Sequence, residues 1–452
     1  MAEVMTYRGH VRALTKLGLP LIGGNLAQFA VTMTDTLMLG WYSVAALAAV
    51  TLGGMYFFEF FILGSGFAIA VMPLVARAVG EGDGQSIRRV TRMGLWLSLA
   101  YALVCFPVFW FSDAILQAVG QDPELSLAAQ GYLRLVWIGL GPAMLVMVLK
   151  SYLAALERTQ VVFWVTVAAA VANGLANYAL IFGNWGAPEL GITGAALASI
   201  MVQVISLVGI VAYVLVVLPE HQIFVRLWRP DWEVMGRVFR LGWPIGLTNL
   251  AESGLFAASA VMMGWLGTVP LAAHGIALNL ASATFMLHLG LSSAATVRAG
   301  NAIGRRDPMH LARGGLVAIL MSMGAAILAV TLFLTLPETL IGFFLNPADP
   351  DRAAILEAGV ILLAMAALFQ FFDGAQVMAL GLLRGVQDSR APMVIATISY
   401  WIIGVPASYV LGFRIDMGGA GVWLGLVIGL AVASVLLMAR FWGRGTTRWM
   451  PA

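Results

Sequence analysis

LGLPLIGGNLA at residues 17–27 and LGWPIGLTNLA at residues 241–251 agree at six of eleven positions, 224 residues apart. The register continues without a gap. LMLGWYSVAALAA (37–49) matches VMMGWLGTVPLAA (261–273), and GEGD (80–83) matches GRRD (304–307). Over 17–83 against 241–307, 19 of 67 positions are identical. Fainter echoes follow, such as GITGAALAS (191–199) with GGAGVWLG (418–425). The chain therefore contains the same unit twice. The division expected is an N-terminal lobe over 1–218, a linker over 219–236 and a C-terminal lobe over 237–452.

Composition says what the repeated unit is. The 452 residues are 61% hydrophobic and 10% charged, where a soluble domain carries about 25% charged residues. Twelve apolar runs reach the length of about 20 residues that a spanning helix needs. They lie near 14–38, 46–76, 91–113, 129–155, 161–183, 192–217, 239–264, 271–299, 313–336, 355–382, 392–413 and 418–439. Strands are excluded because the runs are long and do not alternate apolar with polar. Six runs per unit is an even number, so both units start and finish on one side and are parallel repeats. The expected fold is an all-α polytopic membrane protein, with two pseudo-symmetric six-helix bundles around a central cavity.

Charge orients it. With both termini in the cytoplasm, 22 of the 25 basic residues fall on the inner side, in clusters such as 77–92, 226–240, 298–313, 384–390 and 440–448. Acids such as Asp113, Asp122, Glu338, Asp349 and Asp351 fall outside. This is the positive-inside pattern. The net charge of +3 thus reports topology, and no nucleic-acid motif accompanies it. A multi-pass membrane protein with both termini cytoplasmic is expected, and a monomer the expected state. No GxxxxGK[ST] is present, so ATP is not expected as the energy source, and no catalytic constellation suggests an enzyme.

Four acids interrupt the apolar runs: Asp35, Glu59, Glu252 and Asp373. An ionisable group at membrane depth is expensive and is a functional-site hypothesis. The repeat sharpens it, because Glu252 corresponds to Gln28 and Asp35 to Ser259. Each unit keeps polarity at both positions but places its acid at a different one. Glu252 lies 12 residues beyond Arg240, about 18 Å along a helix. Asp373 falls at similar depth, with Gln370 and Gln376 on its face. Two such carboxylates can share a proton or bind a small cation. Asp35 is grouped with Asn173 and Asn177, which are i, i+4 on the fifth run. Glu59 has two readings, attraction of a cationic substrate among aromatics or pairing with Lys150 or another helix. His274 and His288 are read as interhelical hydrogen-bonding groups. No cofactor is expected beyond a coupling ion.

These residues resemble a known family. LPLIGGNLAQFAVTMTDTLMLG (19–40), AAH (272–274), NLAESGLF (249–256), FFDGAQVMALGLLRGVQDSR (371–390) and APELGITGAALAS (187–199) together look like the multidrug and toxic compound extrusion (MATE) family, in its NorM-like bacterial branch. The resemblance covers nearly the whole chain. It implies antiport of organic cations and amphipathic drugs against Na⁺ or H⁺. It implies a C-lobe ion site at Glu252 and Asp373, binding Na⁺ if Na⁺ is the coupling ion, and an N-lobe site at Asp35, Asn173, Asn177 and Ser199. Gln28, Glu59, Phe285, Phe369 and Gln376 are the candidate cavity residues. A tyrosine found one turn before the helix-10 acid in some relatives is Phe369 here, which removes one oxygen. The alternative reading is a lipid-linked-oligosaccharide flippase of similar architecture, whose cavity should be basic rather than acidic.

Overall fold

The computed structural model describes residues 5–347, 350–443 and 445–451, and within them all side chains except those of residues 44 and 45. Asp349 of the outer acids and Arg444 of the last basic cluster lie outside these residues. Among the described residues there is no strand.

Among the described residues twelve long helices follow one another. They are α1 (Tyr7–Tyr42), α2 (Val44–Glu81), α3 (Gly84–Val104), α4 (Pro123–Ala155), α5 (Thr159–Phe182) and α6 (Gly191–Val217). After the linker come α7 (Trp232–Leu266), α8 (Thr268–Gly304), α9 (Pro308–Thr335), α10 (Arg352–Gly385), α11 (Arg390–Arg414) and α12 (Gly418–Trp442). Each of the twelve expected runs overlaps one of these, but the third, 91–113, overruns α3: the chain breaks at Cys105 and continues as two short helices, Phe106–Trp110 and Ser112–Ala118. Among the described residues, eleven are long and apolar enough to cross a membrane. The twelfth, α1, has 36 residues but carries a polar face of Asn25, Gln28, Thr32 and Asp35 and three basic residues at its start.

The repeat is visible in the joints. Asp83 ends the α2–α3 turn and accepts from Ser86 N–H at 3.0 Å, capping α3. Its counterpart Asp307 accepts from His310 N–H at 2.8 Å, capping α9. Pro20 and Pro244, also equivalent, lie inside α1 and α7. A proline there removes one backbone donor and weakens the helical ladder.

The chain forms two compact units, residues 1–22 with 247–452, and residues 23–246. The helices α1 and α7 pass from one unit to the other within three residues of those two prolines. Within each unit, small residues let helices approach as membrane packing requires. A Cβ on Gly381 of α10 would lie 2.2 Å from Ser292 Oγ of α8, and one on Gly425 of α12 would lie 2.2 Å from Ser408 N of α11. The helix α11 is irregular. Two π-helical stretches, Ile398–Gly404 and Val410–Arg414, flank a short α-helical piece containing Pro406.

Candidate functional site

The unit of residues 1–22 with 247–452 holds the denser polar cluster. The helix α10 turns Phe369, Gln370, Asp373 and Gln376 inward, and all four are buried. Spacings of three and four put them on one helical face. Asp373 is 1% exposed, and among the described residues neither of its carboxylate oxygens has a hydrogen-bond donor. Gln376 Nε2 donates to Glu252 Oε1 at 3.4 Å, which ties α10 to α7. Glu252 and Asp373 interact electrostatically, so the two acids expected to pair are brought together.

Two further residues join them. Arg384 Nη2 donates to Asn249 Oδ1 at 2.7 Å. Asn249 lies three residues before Glu252 on the same face of α7. The Arg384 charge acts on Glu252 from there. Tyr400 is fully buried and sits in the first π-helical stretch of α11. Its hydroxyl has no hydrogen-bond partner among the described residues, and it interacts with Glu252, Asp373 and Arg384. π-Helical turns recur at functional sites because they re-aim a side chain.

Sequence reasoning missed both residues. Arg384 reads as a member of the basic inner cluster 384–390, whereas its side chain is half-buried and committed to Asn249. Tyr400 is one aromatic in an apolar run, and nothing in the pattern 399–401 announces a π-helix. Phe369, where a hydroxyl is absent, packs edge-on to Phe256 at 6.0 Å and to Trp423 at 5.8 Å. Trp423 Nε1 in turn donates to His274 Nδ1 at 3.0 Å. His288 Nδ1 lies 2.8 Å from Ser322 Oγ of α9. Both histidines thus make interhelical hydrogen bonds.

The other unit, 23–246, holds the smaller cluster. Asn177 Nδ2 donates to Asp35 Oδ1 at 2.5 Å and is 3.1 Å from Asn173 Oδ1. Both asparagines are buried on α5. Asp35 therefore has an amide donor, which Asp373 lacks. Ser199 is half-buried on α6 and is not among the residues bonded to Asp35. Gln28 is exposed on α1, and Glu59 is half-buried on α2 within the aromatic run Tyr56–Phe61. Phe285 is half-buried on α8.

The MatE family profile matches residues 20–179 and 244–410, which is most of the chain and splits as the repeat does. The chain belongs to the MATE family. It is 45% identical over 434 residues to the probable multidrug resistance protein NorM of Agrobacterium fabrum, covering 96% of this chain and 93% of that one. With the protein of the same name from Rhizobium meliloti the identity is 43% at the same coverage. Solved MATE structures share the two-lobe fold. An outward-facing multidrug resistance MATE transporter of the MOP superfamily superposes with a TM-score of 0.88 at 20% identity, covering 100% of this chain and 99% of that one. The eukaryotic MATE transporter AtDTX14 gives 0.86 at 19% identity, covering 98% of each. At such identities the likeness speaks for the fold. This MATE protein is a multi-pass membrane protein of the NorM-like bacterial branch.

Proposed function

We propose that this MATE-family protein is a secondary multidrug antiporter of the bacterial inner membrane. It exports organic cations and amphipathic drugs in exchange for Na⁺ or H⁺ by alternating access, with both termini cytoplasmic. The relatives named as multidrug resistance proteins support the drug side of this reading.

The ion side rests on one observation. Asp373 is buried beside Glu252 and, among the described residues, has no donor to either carboxylate oxygen. A bare carboxylate in an apolar interior costs several kcal/mol on the order of an unpaired buried ion. A proton on Asp373, or a small cation between the two acids, removes that cost. An occupant that is a monovalent cation, delivered down its gradient, makes the pair a coupling site. Asp35, already served by Asn177, is the secondary ion site. Na⁺ is the favoured ion because two carboxylates with amide and phenol oxygens nearby form a hard-oxygen set. The acidic interior disfavours the flippase alternative, since a pyrophosphate carrier needs basic residues at that depth.

The test is efflux of a fluorescent organic cation from proteoliposomes under separately imposed Na⁺ and pH gradients. Glu252→Gln and Asp373→Asn should each reduce gradient-driven efflux to below about a tenth of wild type, since coupling is lost when the ion is not bound. Wild-type rates in either variant would overturn the assignment.

A further inference from the structure

The linker is not a passive connection. Arg92 of α3 donates from Nε to Ile223 O at 2.7 Å and from Nη2 to Gln222 O at 2.9 Å, and also bonds Val225 O. Arg88 Nη1 donates to Gln222 Oε1 at 3.2 Å, and Trp96 Nε1 to Leu227 O at 2.7 Å. Arg89 forms an ion pair with Asp231 at 2.5 Å. These contacts hold residues 222–231 against α3 and enclose a depression of about 720 Å³. Its wall carries Arg88, Arg89, Arg92, Arg226 and Arg229, with Trp232 at one edge.

The charges do not balance. Asp231 lines the depression but is spent on Arg89, and Glu233 also faces Arg89, at 3.8 Å. Among the described residues neither Arg226 nor Arg229 has a salt bridge. Arg92 feels the charges of both Arg88 and Arg226. Arg226 is also held at φ 56, in a backbone region that a residue with a side chain seldom adopts. Like charges gathered by a strained loop need an anion to offset their repulsion. Arginine forks match phosphate oxygens in particular. The neighbouring Trp228 and Trp232, each more than 70% exposed, have the amphipathic rings that settle at headgroup level.

We propose that this depression is a phosphate-oxyanion site, held by Arg88, Arg226 and Arg229, whose occupant is the headgroup of an anionic phospholipid. Basic pockets at the edge of helical membrane proteins take such headgroups. The site is independent of the ion-coupling reading, since it uses none of its residues.

Native mass spectrometry of the detergent-purified protein, titrated with phosphatidylglycerol and separately with inorganic phosphate, tests it. The triple variant Arg88→Gln, Arg226→Gln, Arg229→Gln should bind phosphatidylglycerol about a hundredfold more weakly than wild type, given the usual gain per basic residue at an anionic surface. The control variant Arg12→Gln, Arg305→Gln, Arg390→Gln, with three exposed arginines removed elsewhere, should bind as wild type does. Failure of excess phosphate to displace the lipid assigns the site to headgroups. Displacement, with phosphate binding lost in the triple variant, assigns it to free phosphate and keeps the oxyanion chemistry. Equal binding by wild type and triple variant, or equal loss in the control, overturns the proposal. If the triple variant does not fold, Arg229→Gln alone serves, with a loss of about fivefold expected.

Discussion

At the scale of single residues, the charge of Glu252 has two neighbours with opposite effects. Asp373 repels it, and Arg384, anchored on Asn249, attracts it. The two helices are antiparallel in chain order, and Arg384 lies eleven residues beyond Asp373 toward the end of α10. It is therefore a tethered cation on one side of the acid pair. Under the antiport reading it competes with the driving ion for Glu252. Removing it should tighten ion binding and slow ion release. Arg384→Gln is expected to lower the half-saturating Na⁺ or H⁺ concentration about fivefold, the order expected for a charge several ångströms away in a protein interior. Maximal efflux should fall in the same variant. Arg384→Lys, which keeps the charge but loses the fork, should lie between. Initial efflux rates at graded ion concentrations measure both quantities. An unchanged half-saturation with lower maximal rate would make Arg384 a structural residue only.

At the scale of elements, the repeat supplies its own controls. The α2–α3 and α8–α9 turns share one design. Gly82 N–H bonds Val79 O and Asp83 N–H bonds Ala78 O; Arg306 N–H bonds Ile303 O and Asp307 N–H bonds Ala302 O. Both turns need a left-handed residue, Gly82 at φ 72 and Arg306 at φ 55. Glycine adopts this without a Cβ penalty, and arginine does not. Arg306→Gly should raise unfolding free energy by about 0.5–1 kcal/mol, and Gly82→Arg should lower it by about 1 kcal/mol. Thermal unfolding of the two variants in detergent decides between them, and the same sign in both would refute the turn argument.

The cap at Asp83 adds a pH dependence to the same joint. Hydrogen bonds from the Ser86 hydroxyl and the Ser86 N–H hold its carboxyl below the usual carboxylate range. A lowered acid contributes stability above its unfolded value and loses it as pH falls through the folded value. Asp83→Ala should cost about 1 kcal/mol near neutral pH, and the gap from wild type should close in acid. Elements of this kind were legible in advance, because apolar runs, GEGD and GRRD carry local signals. The π-helical stretch that places Tyr400 was not. ISYWIIG (398–404) has no proline, and its one glycine, Gly404, stands at its last position, so nothing at the start of the stretch marks the change. Arg384 was misplaced for a related reason. Sequence position puts it in a basic cluster at a helix end, and only packing reveals that its long side chain turns back to Asn249.

At the scale of the whole molecule, the informative feature is asymmetry within a duplication. Position 28 and position 252 are equivalent, yet one is an exposed glutamine and the other a glutamate bonded to Gln376. Position 35 and position 259 are equivalent, yet Asp35 is held by Asn177 while Ser259 Oγ donates to Phe256 O and sits 3.4 Å from His274 Nε2. The two repeats share a polar face, and each carries a different carboxylate with partners of its own. Equivalent helix positions thus carry different partners. The double variant Gln28→Glu with Glu252→Gln tests this. It keeps the number of intramembrane acids and moves one to the equivalent place. Asp373, Arg384 and Tyr400 remain beside position 252. Gradient-driven efflux of the double variant should therefore stay below about a tenth of wild type, as in Glu252→Gln alone, because additivity fails only where residues share partners. Recovery to wild-type rates would mean that a carboxylate on either repeat suffices, and that the pairing with Asp373 is incidental to coupling.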